Sequence, residues 1–330
     1  VAPMPRARKH LVCIDETPYY HVVSRCVRRA FLCGTDKHSG KSYEHRRSWI
    51  EGRVRVLSSV FSIELCAYAI MSNHYHLVVK LNAEEAGTWS DDVVLERWTA
   101  LFHGPLLVQQ YRAGKPLIEA EAATLRKLVA VYRQRLGSLS WFMKCLNEPI
   151  ARQANREDGC TGHFWEARFH SQALKTEKAL IAAMAYVDLN PIRAKIAETP
   201  ETSEYTSIKA RIDGQHQAAT LTKAIAGMID KGELYHFETT LRSLLQFAER
   251  ATETAVAIDH SSALPMYWTD YLKLVDVTGR QIVSGKRGRI DPSLRPIVER
   301  LGLGHDEWFD ASTAFRHHYR NGDLRLKHAA

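Results

Sequence analysis

Two short spacings in the sequence carry residue types that can do chemistry. The first is His74-Tyr75-His76, within the stretch AYAIMSNHYHLVVK at 67–80. In an extended strand, residues two apart share a face. His74 and His76 therefore project together, while Tyr75, Leu77 and Val79 turn the other way, toward a core. Two adjacent imidazoles can hold one divalent cation, although histidines alone do not select the metal. A bare His-x-His is equally satisfied by one histidine capping a turn and the other facing water. The second spacing is Tyr186 and Asn190, within AYVDLNPIRA at 185–194. Placed at i and i+4 on a helix, they share a face. The phenol can attack phosphorus and the amide oxygen can ligate a metal. Tyrosine in an amphipathic helix is usually packing. Set against His-x-His on a neighbouring strand, however, the pair completes a three-ligand cation site with a nucleophile one turn away.

The elements that must position these groups are legible in the hydrophobic pattern. Residues 19–27, YYHVVSRCV, are β-branched and aromatic and read as a strand. Trp49, Ile50, Val54, Leu57, Val60 and Phe61 recur at helical spacing over about 42–61, with Arg46, Arg47 and Arg53 between them. Residues 63–70 and 74–81 form two strands joined by a tight Ser72-Asn73 turn. After Leu81 the pattern turns helical and more charged, so 83–136 reads as a helical insertion. A helix at 138–154 contains Pro149, and a strand follows over 164–174, mixing aromatics with positive charge. A last helix spans about 176–189 and stops near Asn190-Pro191.

Without the insertion, the order strand, helix, strand, strand, helix, strand, helix predicts an α+β fold. It takes the form of a ferredoxin-like four-stranded antiparallel sheet with helices on one face. This domain is expected to fill 1–200. A mostly helical accessory region fills 201–330, with amphipathic stretches at 218–232 and 237–258 and shorter helices at 267–277, 292–301 and 305–319. Within it, Gly279 to Arg289 is a Gly-rich basic loop, and Lys286, Arg287 and Arg289 could grip a nucleic-acid backbone. Arg316 to Arg320 is a second basic run.

The paired motifs His74-Tyr75-His76 and Tyr186-Val-Asp-Leu-Asn190-Pro191 resemble those of the single-tyrosine HUH transposases of the IS200-like group, and within it the REP-associated tyrosine transposases. The likeness runs from about Tyr19 to Ala197 and includes GHFWEARF at 162–169. It implies an HUH endonuclease-like fold. Tyr186 would be the nucleophile, His74 and His76 would bind Mg²⁺ or Mn²⁺, and Asn190 would be the third ligand. The family uses Gln at that place more often; the shorter amide moves the metal inward or admits a water. The implied substrate is single-stranded DNA beside a hairpin, as in REP elements, cut through a 5′-phosphotyrosine with a free 3′-hydroxyl left behind. A phenol of ordinary pKa near 10 must give up its proton during such an attack. Arg25, Arg28, Arg168 and His170 are the candidate DNA contacts. Two other readings remain open: a hairpin-binding protein that has lost cleavage, and a metal hydrolase using His-x-His.

Composition bounds these readings loosely. The chain has 330 residues and a formal net charge of +8, compatible with a nucleic-acid partner. No P-loop or carboxylate cluster suggests nucleotide-dependent or carboxylate-metal chemistry, so no nucleotide cofactor is expected. The six cysteines form no Cys-x-x-Cys pair, which argues against a zinc knuckle or disulfide framework and for a reducing cytoplasm. No signal peptide or membrane span is expected. A monomer is expected over a dimer, with a cytoplasmic, nucleoid-associated location.

Overall fold

The computed structural model describes residues 16–27, 32–36, 40–214, 216–248 and 263–303. Its centre is a four-stranded antiparallel sheet in the order β2-β3-β1-β4. The strands are β1 (Tyr19–Arg25), β2 (Ile63–Ile70), β3 (His74–Leu81) and β4 (His170–Ala173). Since β1 and β2 both run antiparallel to β3, and β3 and β4 both antiparallel to β1, the chain makes two crossovers. The first is α1 (His45–Val60). The second is the run α2 (Ala83–Thr88), α3 (Asp91–Leu101), α4 (Leu106–Arg112), α5 (Glu119–Leu136) and α6 (Leu139–Glu157). The fold is thus mixed helix and strand.

The strand alternation is as expected. Tyr75, Leu77 and Val79 are buried with Ile50, Val54 and Leu57 of α1 and Phe142 and Leu146 of α6 in one core. The opposite face, with Tyr19, Ala67, Ala69 and Val78, packs on α7 (Glu177–Arg193) through Leu180, Ile181, Met184 and Val187. Helices on one face was the expectation; they lie on both. The physical reason is that Ala67 and Ala69 leave a shallow apolar floor, and α7 presents a matching apolar side to it.

Other expected elements also differ from what the structure shows. The helix α7 does not stop at Asn190 but runs through Pro191 to Arg193. Near a helix C-terminus the proline removes one amide from the ladder without ending it, and Ala194 still donates to the Asn190 carbonyl at 2.9 Å. The strand expected over 164–174 is ordered as strand only at His170–Ala173, with an isolated bridge pairing Trp165 to Cys26. Phe164 and Phe169 are buried all the same, so their aromatic character reports packing. The helix expected over 237–258 is absent among its described residues, 237–248. Here tertiary contacts hold the chain extended: Arg242 N donates to Ser59 Oγ at 2.8 Å and Leu245 N to the Leu65 carbonyl at 2.9 Å.

The later elements are α8 (Ser207–Asp213), α9 (His216–Asp230), β5 (Phe247–Ala248), β6 (Leu264–Tyr267), α10 (Trp268–Arg280) and α11 (Ile297–Arg300). The expected helix at 292–301 is confined to α11, behind Pro292 and Pro296. Leu264, Tyr271, Leu272, Val275 and Ile297 join the core formed by α7 and the sheet. The expected helix at 305–319 and the basic run at 316–320 lie outside the described residues. Among the described residues no helix is long and apolar enough to cross a membrane.

Candidate active site

The histidines stand where the β2–β3 hairpin turns. Met71 N donates to the His74 carbonyl at 2.8 Å, closing a two-residue tip of Ser72 and Asn73. The tip is held from outside as well. Cys33 N donates to the Ser72 carbonyl at 2.9 Å and Cys26 N to the Asn73 carbonyl at 3.1 Å. Arg47, buried on α1, donates to the Ile70 carbonyl and to Ser72 Oγ. The arginines read as spacing α1 are therefore structural: Arg46 pairs with Glu157 and Asp158 at the end of α6.

On the sheet's α7 face His74, His76 and Tyr186 meet. The His74 and His76 rings lie 4.8 Å apart edge to face, and the Tyr186 ring is 5.6 Å from that of His76. Tyr186 is 47% exposed and His76 only 5%, so the phenol is open to solvent above a sunken imidazole. A residue the sequence did not suggest joins them. His21, on β1, stacks on His76 at 5.2 Å and lies 6.1 Å from Tyr186. Its Nε2 is 3.0 Å from His76 Nδ1. Strand parity was the available signal, since His21 shares a face with Tyr19, Val23 and Arg25.

These contacts fix the imidazole roles. Asn73 Oδ1 lies 2.5 Å from His74 Nδ1 and can only accept, so Nδ1 carries the proton and Nε2 the lone pair. His76 Nε2 is buried without a hydrogen-bond partner. As an N–H it would be an orphan donor costing about 1–3 kcal/mol. With Nδ1–H given to His21 instead, Nε2 is a lone pair suited to a cation, the usual arrangement for metal-binding histidine. Burial, then the charges of Arg25 and Lys286, push His74 down to about 4. Burial, then His74, His21, Arg25 and Lys286, push His76 down to about 2. Burial and then His170 lower His21. The neutral imidazoles keep lone pairs that a cation can take, and the positive charge of Arg25 and Lys286 beside them suits a phosphate oxygen.

Asn190 lies one turn below Tyr186 and is 6% exposed. Its Nδ2 donates back to the Tyr186 carbonyl at 3.1 Å, which leaves Oδ1 as the atom it can offer. Among the described residues no group of three or more His, Cys, Asp or Glu side chains is placed to hold a metal. The atoms these three side chains leave to offer a cation are His74 Nε2, His76 Nε2 and Asn190 Oδ1. The donor set fits a cation that accepts nitrogen and oxygen together.

Between Tyr186 and Asn190, the fully buried Asp188 anchors the helix. It accepts from Ser207 Oγ at 2.5 Å, from Ile208 N at 3.0 Å and from Tyr271 Oη at 2.6 Å. Burial raises its pKa against these donors. At the end of α7 the basic loop docks by backbone: Arg287 N and Gly288 N each reach the Arg193 carbonyl at 3.2 Å. Arg193 in return donates to the carbonyls of Thr278 and Gln281. A Cβ on Gly288 would sit 1.9 Å from the Ile192 carbonyl oxygen, so glycine is required for this approach.

Of the proposed DNA contacts, three gather at the site. Arg25 is exposed and pairs in register with His74. His170 pairs with Val23 and acts on His21. Lys286 acts on both His74 and His76. Arg168 is exposed on the segment before β4. Arg287 meets α7 through its backbone, and Arg289 lies close enough to act on Asp291. Arg28 lies outside the described residues.

No protein-family model matches the chain, and no curated protein matches its sequence. Among solved structures it is similar to a REP-associated tyrosine transposase bound to a REP hairpin, at 11% sequence identity and a TM-score of 0.33, over 64% of this chain and 86% of that one. That likeness is distant, and the geometry of the site is what bears on function.

Proposed function

We propose that the protein is a metal-dependent single-strand DNA endonuclease and strand transferase that recognises hairpin DNA of the REP type. One observation carries the reading: a solvent-open tyrosine stands 5.6 Å from a buried histidine whose Nε2 has no partner. The two come from motifs more than a hundred residues apart. The strand order with two crossovers supports a ferredoxin-like, HUH-type domain over 1–200, with 201–330 as the accessory region.

In this reading the Tyr186 oxygen attacks phosphorus in line with the departing 3′-oxygen. The new O–P bond makes a 5′-phosphotyrosine, and the P–O3′ bond breaks to release a 3′-hydroxyl. The phenol proton leaves to water, the departing 3′-oxygen takes a proton from water, and attack by another 3′-hydroxyl reverses the step. His74, His76 and Asn190 would hold Mg²⁺ or Mn²⁺, which supplies charge compensation at a non-bridging phosphate oxygen. Arg25 and Lys286 add positive charge beside that phosphate, with Arg28, Arg168, His170, Arg287 and Arg289 serving the flanking DNA. Since Tyr186 and the histidines of one chain meet, the site needs no second copy, which supports a monomer.

The test is incubation with a 5′- and 3′-labelled hairpin oligonucleotide and Mn²⁺, followed by denaturing electrophoresis. A covalent adduct is expected that Tyr186→Phe abolishes and His76→Ala greatly reduces, with hairpin binding kept in both. Binding without any adduct would assign the protein instead to cleavage-free hairpin recognition. Ester turnover that survives Tyr186→Phe would assign a hydrolase.

A further inference from the structure

The face of the sheet turned away from Tyr186 carries a second charged feature. Between α1, α6, the loop after α6 and the turn after α9 lies an open cleft of about 1030 Å³. Three of its cations, Lys144, Arg152 and Arg156, come from α6. They lie 8 and 4 residues apart in the sequence and all line the cleft, which spreads them over about 18 Å at the rise of an α-helix. Lys231 faces them from beyond α9, and Arg53 forms part of the floor.

Two acidic residues, Glu148 and Glu233, line the cleft against five cations, Arg53, Lys144, Arg152, Arg156 and Lys231, and offset them only in part. Glu148 is already paired to Arg152. Glu233 Oε2 is 3.8 Å from Arg53 Nη1. Arg53 is 5% exposed. Its Nε donates to the Cys145 carbonyl at 2.7 Å, whereas Nη1 is buried without a hydrogen-bond partner. Arg53 therefore places positive charge beneath the cleft floor, part of it offset by Glu233, and the accessible cations are Lys144, Arg152, Arg156 and Lys231.

Shape and neighbours narrow the ligand. A charge track of this length suits a polyanion better than a small metabolite. Phe102 and Tyr235 line the same cleft, with Tyr235 44% exposed, so flat apolar surface accompanies the cations. The wall at 159–162 turns through Gly159 and Gly162, at positive φ of 60° and 100°. Asn155 Nδ2 pins that loop to the Gly162 carbonyl at 3.1 Å. Positive groove plus exposed aromatic surface is how proteins take unpaired nucleic-acid strands.

We propose that this cleft binds a single-stranded stretch of nucleic acid, at a second site remote from the tyrosine. It does not depend on the nicking chemistry, and it is tested without it. The exposed thiol of Cys160 lines the cleft and serves as the reporter. The variant is the triple exchange Lys144→Glu, Arg152→Glu and Lys231→Glu, all exposed positions.

Binding of a 20-nucleotide single strand is followed by fluorescence anisotropy across a salt series, and alkylation of Cys160 by mass spectrometry. The triple variant is expected to melt like the wild type and to bind at least ten-fold more weakly. Its log-affinity against log-salt slope should be shallower by about 2, three contacts at about 0.7 each. The strand should slow Cys160 alkylation in the wild type and not in the variant. An unchanged slope, or Cys160 left unprotected in the wild type, overturns the proposal. Equal protection by a duplex of the same length overturns the single-strand assignment.

Discussion

Removing one buried oxygen atom behind the helix that carries the nucleophile should loosen that helix. The change is Tyr271→Phe, on α10. Tyr271 is fully buried, and its hydroxyl is one of three donors to the carboxyl of Asp188, at 2.6 Å. The remaining two, from Ser207 and Ile208, both go to Oδ1, so Oδ2 loses the donor that Tyr271 supplies. Asp188 is fully buried as well, and no water replaces the lost hydroxyl. A hydrogen bond to such a group is worth about 1.5–3 kcal/mol, so a loss of about 2 kcal/mol is expected. For a chain of this size that corresponds to a Tm lower by roughly 4 °C, taking the lower end of the size scaling. Calorimetry measures the shift, and the adduct assay measures its consequence at Tyr186, two residues before Asp188. The expected pattern is a lower Tm, slower adduct formation and unchanged hairpin affinity. A Tm within about 1 °C of wild type, with unchanged adduct formation, would refute the claim that Tyr271 holds the helix through Asp188.

Three further outcomes can be checked. His21→Phe keeps a ring against His76 but removes the acceptor for its Nδ1, and should weaken Mn²⁺ binding about 10–100-fold; titration calorimetry on the DNA-free protein reads this directly, and equal affinities would remove His21 from the site. Gly288→Ala forces a Cβ onto the Ile192 carbonyl and should displace the loop that carries Lys286, slowing adduct formation as much as Lys286→Ala does, while Lys286→Arg restores it. A full rate in both alanine variants would sink the role of the loop. Burial raises the pKa of Glu51, which accepts from the Tyr68 hydroxyl at 2.6 Å. A carboxyl whose pKa is raised by folding favours the fold below its ordinary value near 4.3, and that contribution is lost as pH rises through the raised value. Glu51→Gln should therefore raise Tm at pH 8 and leave it nearly unchanged at pH 4; the opposite order would contradict the sign.

The sequence carried the hairpin, the two helices that flank it and both halves of the tyrosine–histidine pairing, because each rests on local periodicity. Strand parity sends Tyr75 and Leu77 to one core and His76 to the other face, and the structure follows it. What local pattern could not supply was the pairing of distant elements. His21 joins the site only because β1 lies beside β3, and α7 covers the second face only because Ala67 and Ala69 leave room for it. The aromatic run at 164–169 reads as strand by composition, yet it pairs only at the single bridge of Trp165 to Cys26. The stretch from 237 has helical periodicity, but backbone and side-chain contacts from Ser59 and Leu65 hold it extended. Lys286 was visible as one charge in a basic loop; its place beside the histidines depends on how Gly288 meets the end of α7.

The tip of the β2–β3 hairpin sets a limit on how this chain can change length. Both of its carbonyls are engaged, by the amides of Cys33 and Cys26, and strand residues alternate faces with a period of two. One inserted residue at Ser72 or Asn73 would break those bonds. If β3 then slipped by one place, Tyr75 and Leu77 would turn toward Tyr186, and both imidazoles would enter the apolar core. Met71-Ser72-Asn73-His74 is therefore an indel-intolerant unit, inherited whole or lost, in contrast to the long crossover between β3 and β4. Length variation among chains that keep this chemistry should collect in that crossover and spare the tip.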